Sequence, residues 1–201
     1  NKQFCNLSQV VVREDDTVES IKNKVRLATI LGTYQASLTN FPYLSADWKK
    51  HCDEEALLGV SITGFWDSEL SRDAELLKDL RDLSVEVNKE YAKKFGINPS
   101  TCVTCVKPAG NGSQLFDSAS GMHPRHAPYY VRRVRIENHN PLFMMLRDMG
   151  VPYQPEVGQV NGKASTYVLE FPIKAPVGAI VRRDLSALKL LEFWKVLKEN
   201  F

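Results

Sequence analysis

The chain has 201 residues, of which 43% are hydrophobic, so it can bury one sizeable core or supply part of a larger one. Its 26 basic and 24 acidic residues leave a net charge of +2, which excludes a strong overall field for nucleic acid or an anionic membrane. The longest apolar runs, such as Ala175 to Val181, fall far short of the roughly 20 residues a membrane-spanning helix needs, and the expectation is a cytoplasmic protein.

Leu7 to Arg13 is rich in β-branched residues and reads as a strand closed by the turn Glu14-Asp15-Asp16. Thr17 stands where an N-cap is expected, although Ser20 is not the Glu of a full capping box. Val18, Ile21, Val25, Ala28 and Leu31 then keep helical spacing. Leu57 to Gly64 is an apolar run bounded by glycine, as in a buried strand. Ser71 to Phe95 has apolar residues at helical spacing, Lys93-Lys94 near its end, and Gly96 as a natural C-cap.

Thr101 to Val106 is a second apolar run, and it empties into Pro108-Ala109-Gly110-Asn111-Gly112-Ser113. Tyr129 to Ile136 alternates large apolar residues with Arg132, Arg133 and Arg135, which suggests a strand with basic side chains on one face. Pro141 to Gly150 reads as a short helix, Thr166 to Phe171 as a strand, and Asp184 to Phe201 as an amphipathic helix capped by Asp184 or Ser186. Alternating strands and long helices point to an α/β architecture, with site loops at one end of the strands.

The glycine loop is the strongest local signal for chemistry. Its two glycines admit backbone amides close to a ligand, Asn111 and Ser113 offer side-chain hydrogen bonds, and a following helix N-terminus would favour an anion such as phosphate. An ordinary strand-to-helix turn is the alternative. Cys102 and Cys105 form one C-x-x-C without a second ligand pair, and the simplest reading is two small apolar side chains in a core. His123 can be a hydrogen-bonded loop residue or a phosphate contact, and the three arginines can serve a ligand or pair with carboxylates. No metal site is expected, and Cys5, taken alone, reads as structural.

Several stretches, in order along nearly the whole chain, resemble the catalytic domain of class II, adenosylcobalamin-dependent ribonucleotide reductases. They are Phe4-Cys5-Asn6-Leu7, Leu58 to Gly64, Val106-Lys107-Pro108 into the glycine loop, Asp117 to Pro124, Tyr129 to Arg135, and Ser186-Ala187-Leu188. The resemblance is strongest to the monomeric ribonucleoside-triphosphate reductases. It implies that residues 1–201 are one partial domain, truncated at both ends, of a ten-stranded α/β barrel of the thiyl-radical type.

The implied activity is reduction of ribonucleoside triphosphates to 2′-deoxyribonucleotides with adenosylcobalamin, the cysteines being re-reduced by thioredoxin or a similar dithiol. Cys5 then matches a cysteine of the reducing pair. Pro108, Ala109, Gly110, Asn111, Gly112 and Ser113 match the loop that binds the substrate phosphates, with Ala109 and Asn111 standing where the family usually has hydroxyl-bearing residues. The radical cysteine, in an N-P-C-x-E element, and the partner of Cys5 would lie in a missing N-terminal part of the same enzyme, so the chain alone is expected not to turn over. The alternatives are a diphosphate-specific or other reductase subtype, and a non-catalytic nucleotide-binding half of a split protein. Neither membrane attachment nor direct nucleic-acid binding is expected.

Overall fold

A computed structural model describes residues 2–107 and 109–201, which form two compact units. The first runs to Arg125 and resumes at Ala179, and the second comprises His126–Gly178.

In the first unit, β1 (Asn6–Val11) pairs in parallel with β2 (Leu58–Thr63), in a register that runs from Asn6 opposite Leu58 to Val11 opposite Thr63. Parallel neighbours need a crossover. It is made by α1 (Val18–Ala36) and α2 (Ala46–Glu55). A third extended stretch lies along the other side of β2, where Leu58 N donates to Cys102 O, Val60 N to Val103 O, and Cys105 N to Val60 O, each at 2.9 Å. Thr101 to Val106, the second apolar run, makes one parallel bridge among the described residues, Val60 to Thr104. The helix between these strands is α3 (Ala74–Phe95).

Val10, Val12, Leu58, Val60 and Ile62 share one core with Ile21 and Val25 of α1 and Leu77 and Leu80 of α3. Phe193 and Leu197 of α6 (Ala187–Asn200) close the same core. Burying this many branched side chains, at roughly 1.5–3 kcal/mol each, is what holds the sheet to its helices. Asn88, inside α3 and 1% exposed, adds a polar tie: its Nδ2 donates to Thr33 Oγ1 of α1 at 3.0 Å, and its Oδ1 accepts from Ser100 N at 2.8 Å.

The helix ends follow their capping chemistry. Thr17 caps α1, and Ser20 completes a reciprocal capping box, with Thr17 N donating to Ser20 Oγ and Ser20 N to Thr17 Oγ1. A hydroxyl thus substitutes for the Glu the motif usually demands. Asp73 caps α3 through Leu76 N, so that helix starts at Ala74 rather than at Ser71, behind a 3-10 turn at Leu70–Arg72. Gly96 ends it in the left-handed region at φ 69°, where a side chain would be strained. Ser186, not Asp184, caps α6; the Asp184 carboxylate accepts from Val181 N instead.

The second unit departs from the expected alternation of parallel strands and helices. Its strands β3 (Tyr129–Glu137), β4 (Tyr153–Pro155) and β5 (Thr166–Lys174) form an antiparallel sheet in the order β3-β5-β4. α5 (Pro141–Asp148) buries Phe143 against Tyr167, with the rings stacked at 4.9 Å. The arginines of β3 do not share a face. Arg133 and Arg135 alternate with half-buried residues and pair with Glu170 at 2.8 Å and Glu156 at 2.6 Å, whereas Arg132 falls on the half-buried face. The period of two forbids residues 132 and 133 from pointing the same way. The architecture is therefore mixed α/β, with two strands and one bridged stretch in the parallel sheet.

Candidate active site

Because Leu58, Val60 and Ile62 face the helices, strand alternation turns Gly59, Ser61 and Thr63 to the opposite face of β2, beside Leu7 and Gln9 of β1. Cys5, one residue before β1, continues that series. The segment after α4 (Gly110–Leu115) covers the far end of this face. Thr63 Oγ1 donates to Ala119 O at 2.9 Å and accepts from Gly121 N at 2.8 Å, while Trp66 Nε1 donates to Met122 O at 2.7 Å.

A buried ion pair fixes the same segment. Arg125, with its side chain 5% exposed, donates through Nε and Nη2 to Asp67 at 2.9 and 3.1 Å, and through Nη1 to Asp117 at 2.7 Å. Asp67 Oδ2, which takes Arg125 Nη2, also accepts from Ala119 N at 2.6 Å. Burial opposes the charge on Arg125, but the hydrogen bonds and charges of Asp67 and Asp117 outweigh it and hold the guanidinium above its ordinary pKa. Sequence reasoning missed Arg125 and Asp67, which are 58 residues apart. No local spacing joins them.

The expected phosphate loop is placed as follows. Pro108 lies outside the described residues. Ala109 is buried, Gly110 and Asn111 are exposed, and Gly112 is half-buried. Ser113 does not offer its hydroxyl to a ligand: it is fully buried, and its Oγ donates to the carbonyls of Ala109 and Gly110 within the short helix. Ser120 Oγ donates to the same Ala109 carbonyl at 3.0 Å. The loop's outward donors are thus backbone amides and the Asn111 side chain.

Gln9 packs under this loop. A Cβ on Gly112 would fall 2.7 Å from Gln9 Oε1, so a side chain there needs a shift at this contact. The Gln9 Nε2 is buried and finds no hydrogen-bond partner among the described residues. Gln9 is a third residue missed from sequence; its signal is its place four residues on from Cys5 in an alternating strand.

The thiols lie at the other end of the face. Cys5 is exposed, and all four cysteines are free. Burial pushes the Cys5 thiol up, nearby Cys102 adds to the rise, and Lys107 pulls it down. Burial likewise raises Cys105, with Cys5 adding and Lys107 opposing. The reading of Cys102 and Cys105 as core side chains fails: Cys102 is exposed and Cys105 only partly buried. Cys52 is buried and accepts from Phe4 N at 3.4 Å, and His123 is exposed. No group of three or more His, Cys, Asp or Glu side chains that could hold a metal occurs among the described residues, and no helix described is long and apolar enough to cross a membrane.

No family model matches the chain. It is similar to the adenosylcobalamin-dependent ribonucleoside-triphosphate reductase of Lactobacillus gasseri, 28% identical over 212 residues that cover 87% of this chain and 27% of that protein. The enzymes of the same name from Lactobacillus acidophilus and Levilactobacillus brevis are 32% identical over 101 residues and 34% identical over 91, covering 50% and 45% of this chain and 13% and 12% of theirs. The chain therefore spans about a quarter or less of the curated relatives it matches. Among solved structures, a crystal structure of a B12-dependent class II ribonucleotide reductase aligns with a TM-score of 0.68 at 22% identity, covering 98% of this chain and 32% of that one. The resemblance read from the motifs thus stands, and the fold of that reductase extends over nearly all of this chain.

Proposed function

We propose that this chain is part of the catalytic domain of an adenosylcobalamin-dependent ribonucleoside-triphosphate reductase, in which its parallel strands belong to a ten-stranded barrel. The observation that carries the reading is one sheet face that presents a free thiol at Cys5 and the glycine loop 109–113, with the charge of Lys107 felt at the thiol. A reductase of this class needs a thiol to give hydrogen and electrons to the ribose, and donors to hold the phosphates at a fixed distance from it.

Cys5 fits the first need. Its raised pKa keeps the sulfur protonated at neutral pH, so it can supply a proton together with its electron as one half of a reducing pair. Its partner in that pair, and the radical cysteine, belong to other parts of the enzyme; none of the four cysteines here follows Asn-Pro. The amides of Gly110 to Gly112 and the Asn111 side chain fit the second need, while Ser113 acts by closing the turn that aims them.

These residues match the reducing half of the reaction and not the half that makes the radical, so the docking of the cofactor falls to the rest of the enzyme. When bound, adenosylcobalamin supplies the 5′-deoxyadenosyl radical. A thioredoxin-like dithiol would then re-reduce the cysteines. Given ribonucleoside triphosphate, adenosylcobalamin and a dithiol, the isolated chain is expected to form no deoxynucleotide, and in the complete enzyme Cys5→Ser is expected to abolish repeated turnover. Deoxynucleotide made by the isolated chain, or full turnover by the Cys5→Ser enzyme, would contradict the proposal.

A further inference from the structure

The parallel sheet carries a second thiol arrangement that the reductase reading does not use. A Cβ built on Gly59 would lie 2.9 Å from Cys5 Sγ and 3.2 Å from Cys105 Sγ. Both sulfurs therefore reach, beside the still closer Leu7 Cδ2, into the space that a side chain at the second position of β2 would fill, one from the β1 side and one from the bridged stretch. Neither is engaged in a disulfide. Cys5 precedes the ladder, which starts at Asn6, so its backbone is free of the strand register that holds Cys105 N to Val60 O.

We propose that Cys5 and Cys105 form a reversible disulfide across Gly59, which gives the chain its own two-electron redox pair. The C-x-x-C spacing points elsewhere, to Cys102 with Cys105, but extended backbone turns residues three apart to opposite sides and sets them about 10 Å apart, beyond the roughly 7 Å limit for bridging Cα atoms. Gly59 removes the steric barrier between the other two thiols. A modest movement of Cys5, which lies outside the β1 ladder, brings its sulfur to the bonding distance of about 2.05 Å.

The step balances against a disulfide of low molecular weight. The Cys5 thiolate attacks it and releases one thiolate; the Cys105 thiolate then attacks the Cys5 sulfur and releases the second, and the two protons lost by the cysteines pass through solvent to the two released thiolates. Two cysteine thiols are oxidised and one external disulfide is reduced. Burial raises both thiols, so exchange quickens as pH rises, and Lys107 moderates that rise.

The pair rests on geometry within this chain and not on nucleotide binding. The test is to incubate the full chain with oxidised glutathione at mildly alkaline pH, block the remaining thiols, digest with trypsin and map disulfides by mass spectrometry, with triphosphate binding measured on the same preparation. A Cys5–Cys105 bond is expected, lost in Cys105→Ser and retained in Cys102→Ser. Gly59→Ala, which presses a methyl against both sulfurs and Leu7 Cδ2, is expected to lower its yield, and the wild-type map stands even if that variant folds poorly. A bond from Cys5 to Cys102, a Cys102–Cys105 bond, or glutathione adducts alone would overturn the pair. Intact triphosphate binding beside such a result would leave the reductase reading in place, and a Cys5–Cys105 bond without triphosphate binding would do the reverse.

Discussion

At Gly112 the lack of a side chain is a requirement of contact. An Ala there would press its methyl to 2.7 Å from the Gln9 amide oxygen, and the amide is confined because its nitrogen is buried beneath the loop. Relief displaces either the end of the Gln9 side chain or the loop, and a displaced loop shifts its amides from any phosphate they hold. Gly112→Ala is expected to weaken binding of ribonucleoside triphosphate by about tenfold, roughly 1.4 kcal/mol, in calorimetric titration, with the melting temperature little changed. Gly110→Ala meets nothing within 4 Å and serves as the control. The Arg125 ion pair predicts a different outcome. Asp67→Asn leaves the guanidinium, 5% exposed, with only Asp117 as a charged partner and weakens its hold on Ala119 N. Removing one partner of a buried pair costs about 3–5 kcal/mol, so urea unfolding of Asp67→Asn is expected to show a loss of that order. A loss under about 0.5 kcal/mol would show that the pair does not hold the segment.

At the scale of elements, the start of α1 is a pH-sensitive piece of structure. Burial works against the Asp16 charge, but hydrogen bonds from Lys24 and Ser20 side chains and from Arg13 N, together with the Lys24 charge, hold its carboxyl below the ordinary carboxylate range. A carboxyl whose pKa is depressed by folding contributes stability above its unfolded pKa of about 3.9, and that contribution drains away as pH falls through the lower folded value. Asp16→Asn is expected to lower the melting temperature at neutral pH and to narrow the gap from wild type below about pH 4; a gap constant with pH would refute the assignment.

The same helix shows what could be read in advance. Thr17, the periodic Val18 to Leu31 and Gly96 were legible because caps and apolar spacing act within a few residues. Leu58 to Thr63 was legible because a strand buried on both faces reads as a continuous apolar run. The apolar run 101–106 reflects burial of Val103 and not a full ladder. The glycine loop was legible from its own composition, and Cys5 only from the family motif. Gln9, Arg125 and Asp67 were not, because their partners are brought together only by the fold.

For the whole molecule, the second unit enters and leaves the first at points tied to each other. Arg125 N donates to Ile180 O at 3.1 Å and Arg182 N to Arg125 O at 2.8 Å, so the chain ends left by cutting out 126–178 already lie side by side. The core of Val12, Ile21, Val60, Leu77, Leu80 and Leu197 takes nothing from those residues, and Phe143, Tyr167 and Leu169 form a separate cluster within them. Loop closure between adjacent ends costs little entropy, and a short glycine-serine linker suffices. Replacing His126–Gly178 with such a linker is expected to leave a first unit that melts cooperatively within about 5 °C of the parent transition and still forms the Cys5–Cys105 bond. A broad, non-cooperative melt would mean that the first unit draws its stability from the inserted sheet, against the division of the cores.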